Sequence, residues 1–70
     1  MNYFKVLAYH AGEDKTLVFE SRGKFEKLWQ FSSHILNKGL QVLDVKQMNE
    51  SVTADDKIIV SKIFNGKGVN

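Results

Sequence analysis

The side chains of this 70-residue sequence that could do chemistry are two histidines, two acidic pairs, a serine pair and nine lysines. A metal centre needs about three or four converging ligands. His10 and His34 offer neither a His-x-His nor an HExxH spacing, so each reads as an ordinary surface histidine. Glu13-Asp14 and Asp55-Asp56 lack the alternating oxygens, central glycine and closing glutamate of a calcium loop. Adjacent loop carboxylates point apart into water, so acid–base work by either pair is the poorer reading and a solvated turn the better one. Ser32-Ser33-His34 sets hydroxyls beside an imidazole, yet neighbouring helical side chains diverge by about 100°. That spacing is not a nucleophile–base pair, and no oxyanion site accompanies it. Gly66-Lys67-Gly68 lacks the GxxxxGK[ST] spacing of a phosphate loop, and no helix follows it. The sequence predicts no catalytic residue, no cofactor and no metal. A domain this small also has little room for a catalytic pocket.

The lysines carry the remaining chemistry. Ten basic and eight acidic side chains leave a net charge of +2, with the signs interspersed. Arg22 is the only arginine, the side chain better suited to phosphates and base edges. Lys24, Lys27 and Lys38 sit with His34 on the polar side of the predicted helix, where a phosphate backbone could rest. Glu26 and Gln30 dilute that field, and a solvated helix face is the plainer reading.

The element that positions these groups is a helix over Ser21–Leu40, SRGKFEKLWQFSSHILNKGL. Phe25, Leu28, Trp29, Ser32, Ile35 and Leu36 recur at spacings of three and four and predict the buried stripe, with Phe31 at its rim. Ser21 is the expected N-cap. Gly39 is the expected stop, with Lys38 at the negative end of the dipole and Leu40 folding back on Ile35. A helix of this length is marginal alone and must pack on something.

Strands supply that support. Tyr3–His10 alternates, with Phe4, Val6 and Ala8 on one side and Tyr3, Lys5, Leu7 and Tyr9 on the other. Residues 11–15 form a polar hairpin loop, and Thr16–Glu20 returns with Leu17 and Phe19 on one side. Leu40–Met48 reads as a third strand, with Leu43 and Val45 toward the helix and Val42, Asp44 and Lys46 away. Residues 49–56 are a turn-rich loop. Lys57–Phe64 reads as a fourth strand. A helix is its alternative, since Thr53 and Asp56 resemble a cap and Asn65-Gly66 a stop.

The expected fold is α+β, β-β-α-β-β, one helix on a mainly antiparallel sheet. Two hairpins flanking the helix is the economical topology. Residues 1–65 make a single small domain and residues 66–70 a frayed tail. A 43% hydrophobic content excludes wholesale disorder, and no apolar run is long enough to span a membrane. The first ten residues do not read as a signal peptide, and the absence of cysteine suits a cytoplasmic setting.

One helix covers one sheet face. The opposite face would carry Tyr3, Leu7, Tyr9, Val18, Val42 and Val60 or Phe64, with Lys5, Lys46 and Lys62 among them, too much apolar area to leave wet on a monomer. A second copy, single-stranded nucleic acid, or the chain's own C-terminal segment would have to cover it. The sequence therefore predicts a non-enzymatic binding module working by protein–protein contact, as a homodimer or accessory subunit. Compact single domains of this kind are common among accessory proteins of bacteria and phages. The alternative is a nucleic-acid-binding accessory protein, using the sheet face or Lys24, Lys27 and Lys38.

Overall fold

A computed structural model describes residues 2–49 and 57–67. The elements run β1 (Tyr3–His10), β2 (Lys15–Arg22), α1 (Leu28–Leu36), β3 (Gln41–Met48) and β4 (Ile58–Asn65). This is the expected β-β-α-β-β order, and the fourth element is a strand. The four strands form one antiparallel sheet in the order β3-β1-β2-β4.

That order corrects the two-hairpin topology. β1 and β2 form the hairpin, but β3 and β4 lie at opposite edges of the sheet rather than beside each other. β3 runs parallel to β2 with β1 between them, so the β2–β3 connection has to cross the sheet. Such a crossover is usually made by a helix, and here it is α1. Each later strand covers one open edge of the central hairpin, which a β3–β4 hairpin would not do. Residues 50–56 of the turn-rich loop, including Thr53 and Asp55-Asp56, lie outside the described residues.

The helix begins later than its sequence suggests. Ser21 is not a cap; it is a buried β2 residue opposite Phe4 and Ile58. The ladder extends to Gly23, whose N–H donates to the Asn2 carbonyl at 2.7 Å. Gly23 then breaks the strand at φ +84°. The Asn2 side chain holds the next turn by donating to the Glu26 carbonyl at 2.8 Å. Gln30 reaches back, its Oε1 accepting from the N–H groups of Glu26 and Lys27 at 3.1 Å each. These donors would otherwise be orphans of the first turn. At the far end the sequence reading holds. Gly39 takes φ +84°, its N–H donating to the Leu36 carbonyl at 2.9 Å, and Leu40 joins Ile35 in the core.

The buried stripe is also displaced. Phe31 and Ile35 are fully buried and Leu28 is half-buried, whereas Trp29 is 66% exposed and Leu36 is exposed. Phe25 precedes the helix but stacks on Phe31, ring centroids 5.4 Å apart. The core is Phe4, Val6, Ala8, Phe19, Phe31, Ile35 and Leu40, with Leu17, Val42 and Ile58 against it. In β3 a bulge opposite Leu7/Ala8 makes Leu43 the extra residue, so Val42 opposes Ala8 and packs on the core. A bulge shifts the alternation by one, which reverses the expected place of Val42. α1 lies over β3 and β1. Among the described residues no helix is long and apolar enough to cross a membrane.

Candidate interaction surface

The register puts Tyr3, Lys5, Leu7, Tyr9 and Val18 on the sheet face away from α1, as the alternation predicts. They are not a wet apolar patch. Tyr3 is 4% exposed and the other four are half-buried. The Tyr3 hydroxyl donates to Glu20 Oε1. The Arg22 guanidinium lies 5.2 Å and the Lys5 ammonium 5.8 Å from the Tyr3 ring centroid, within cation–π range. Arg22 Nη2 stands 3.4 Å from Glu20 Oε1. Glu20 is buried, which by itself penalises its charge and raises its pKa. Hydrogen bonds from Tyr3 and Ser61, the charge of Lys5 and the Arg22 contact outweigh that burial, so the carboxyl titrates below its ordinary value. Ser61 Oγ also lies 3.3 Å from the Val18 carbonyl.

The other end of this face is closed by the chain itself. The Tyr9 hydroxyl donates to Asp14 Oδ1 at 2.5 Å; that bond, then burial, then the Asp14 charge raise the phenol's pKa. Gly66 N–H donates to the Asp14 carbonyl at 2.7 Å, and Thr16 Oγ1 donates to the Gly66 carbonyl at 2.5 Å. Lys67 Nζ then lies 5.7 Å from the Tyr9 ring centroid. Gly66, the first residue of the expected tail, thus bonds to Asp14 and Thr16; residues 68–70 lie outside the described residues.

Lys24, Lys27 and Lys38 are all exposed. Lys24 and Lys27 precede α1 and Lys38 follows it, so the helix length separates them into two groups. His10 Nδ1 accepts from the Glu13 N–H at 3.0 Å, a turn contact. His34 packs beside Phe25, centroids 5.6 Å apart. Ser32 Oγ donates to the Trp29 carbonyl. Among the described residues no group of three His, Asp or Glu side chains comes together.

The bare apolar surface is elsewhere. Because α1 lies over β3 and β1, it leaves β4 uncovered. Val60 is 46% and Ile63 60% exposed, and Ile59 is exposed beside them. Val60 opposes Phe19 and Ile63 opposes Leu17, so both lie on the helix side of the sheet, beyond the helix; of the two residues expected on the opposite face, only Phe64, opposite Thr16, is there, because the β4 bulge shifts the alternation. β4 is also an end strand, so its outward N–H and C=O groups find no strand partner among the described residues. Sequence alternation did mark Lys57–Phe64 as an apolar strand. Only the strand order makes it an edge. Comparison with protein-family models, with curated proteins and with solved structures finds no match.

Proposed function

We propose that this protein is a non-enzymatic contact module that self-associates through the β4 side of its sheet. The observation that carries the reading is the concentration of exposed Ile59, Val60 and Ile63 on one unpaired end strand. An exposed edge offers a row of backbone donors and acceptors to another strand. Apolar side chains on the same strand add burial at about 25 cal/mol per Å². The same proposal based on the Tyr3–Tyr9 face has less behind it, since Tyr3 and Glu20 there are already satisfied by each other.

The nucleic-acid alternative draws less support. Stacking bases would need free aromatic faces, and cations of the chain already sit against Tyr3 and Tyr9. The buried Glu20 anion on that face also repels phosphate. A salt series of binding to single-stranded oligonucleotides tests it, since phosphate-driven binding weakens steeply as salt rises.

Sedimentation of the intact chain over a concentration series tests the main reading. The wild type is expected to show a concentration-dependent dimer and Ile63→Lys a monomer, while Leu7→Glu on the other face keeps the dimer. A wild type that stays monomeric at the highest concentration overturns the proposal.

A further inference from the structure

We infer that a second copy of this chain joins the β4 edge as an antiparallel strand about a two-fold axis between Ser61 and Lys62, with Val60 opposite the partner's Ile63. The inference rests on the self-association proposed above and specifies its register.

The face pattern of β4 carries it. Ile58, Val60 and Ile63 oppose Ser21, Phe19 and Leu17, which places them on the helix side. Ile59, Lys62 and Phe64 oppose Glu20, Val18 and Thr16, which places them on the outer side. Ser61 is the extra residue where the register shifts between Val18 and Phe19. Its hydroxyl lies 3.3 Å from the Val18 carbonyl and is close enough to Glu20 to help lower that carboxyl's pKa, so it too lies on the outer side with Glu20. From Ile58 to Asn65 the faces therefore run inner, outer, inner, outer, then outer, inner, outer, inner. The sequence of faces is the same in both directions.

That palindrome selects one register. A two-fold axis normal to the sheet keeps every side chain on its own face, and directly opposed residues of an antiparallel pair share a face. In a regularly alternating strand those two conditions force some residue to sit opposite itself. The bulge removes that requirement. Centring the pair between Ser61 and Lys62 matches all eight positions of β4. Centring it on Val60, Ser61, Lys62 or Ile63 sets an inner residue against an outer one within two steps.

The side chains agree with the geometry. The matched register places Val60 against Ile63 twice on the helix side and Ile59 against Phe64 twice on the outer side. Apolar cross-strand pairs of this kind favour pairing. Lys62 faces Ser61 instead of another Lys62, which avoids the like-charge contact of a register centred on that residue. Two four-stranded sheets become one continuous sheet, and each α1 stays over the β1–β3 half of its own sheet, away from the junction.

The chain has no cysteine, so engineered thiols report the register without background. Opposed Cα atoms lie about 4.5–5.5 Å apart, inside the span of a disulfide. The variants Val60→Cys and Ile63→Cys, oxidised separately and mixed, are read on a non-reducing gel, with Ile59→Cys and Phe64→Cys as an independent second pair. The expected result is a disulfide dimer in each mixture and none from any single variant, since like positions sit at least about 10 Å apart along the strands. A sedimenting wild-type dimer that gives no mixed disulfide with either pair, or that crosslinks Val60→Cys to itself, overturns the register but leaves self-association standing. A monomeric wild type overturns both.

Discussion

β3 and β4 are the two edges of one sheet, each eight residues long and each interrupted by one bulge. They differ in what they offer to a neighbour. β3 exposes Gln41, Asp44, Lys46 and Gln47, and α1 lies over it. Charges and a covering helix are the usual ways to blunt an edge. Val45 is its only large exposed apolar side chain among the described residues. β4 carries three such residues, Ile59, Val60 and Ile63, and its one exposed charge is Lys62. The lesson lies in the helix placement. A nine-residue helix cannot shield a four-stranded sheet, and the half it leaves bare is where Val60 and Ile63 are exposed, the surface proposed above for self-association.

Removing the shield should produce the largest effect. Phe31→Ala takes out a fully buried ring that packs on the covered half. The expected loss is about 3–5 kcal/mol, comparable to the whole stability of a chain this small. Trp29→Ala, on the exposed side of the same helix, should change stability by no more than about 0.5 kcal/mol. Urea unfolding of both variants decides the matter; a larger loss for Trp29→Ala would mean the helix is seated on its other face. The same substitution at the two edges separates them in assembly. Val45→Lys should leave sedimentation as in the wild type, whereas Ile63→Lys should abolish the dimer.

Next in size is a pH effect at the strand between the two halves. Glu20 opposes Lys5 of β1 and Ile59 of β4. Its folded pKa lies below its ordinary 4.5. The unfolded chain therefore binds the proton first, so this stabilisation is full above the unfolded pKa and is lost as pH falls through the folded one. Urea midpoints measured from neutral pH down through the carboxylate range should fall for the wild type. For Glu20→Gln they should fall less, from a lower starting stability. Parallel curves for the two proteins would deny Glu20 this role.

Much of the fold was legible in the sequence, and its failures have common causes. β1 alternates strictly, so both of its faces are readable, as is the Gly39 stop; the loop expected over residues 11–15 is a turn that ends one residue sooner, with Lys15 already in β2. Periodicity puts Phe31 only at the rim of the stripe because it takes Phe25 as part of the helix. Phe25 lies before its first turn, and including it rotated the stripe toward Trp29 and Leu36. Leu43 and Ser61 are single extra residues, and periodicity cannot reveal a bulge. Alternation puts Tyr3, Leu7 and Tyr9 on the correct face, but the cations set against the Tyr3 and Tyr9 rings, Arg22, Lys5 and Lys67, sit on long side chains that alternation does not track. The β4 surface was hidden for a different reason. Its residues read as a strand with a helix as the alternative, but its place at an edge is a property of topology, and neighbour preference argues for a hairpin.

The smallest effect has an informative sign. Read from sequence, Ser21 caps a helix, and Ser21→Ala would cost about 1 kcal/mol. In the fold, Ser21 lies in β2 where the covered half meets β4, fully buried between Phe4 and Ile58. Its hydroxyl has no hydrogen-bond partner among the described residues. A buried polar group without a partner costs about 1–3 kcal/mol in lost hydration, so Ser21→Ala should be neutral or raise stability by about 1 kcal/mol. Ser21→Val would extend the apolar inner side of β2 toward Ile58 but adds volume, and overpacking there would cancel the gain. Equilibrium unfolding of the alanine variant is the cleaner measurement. A loss near 1 kcal/mol would return Ser21 to the helix, shorten β2 and with it the ladder that holds β4 at the edge.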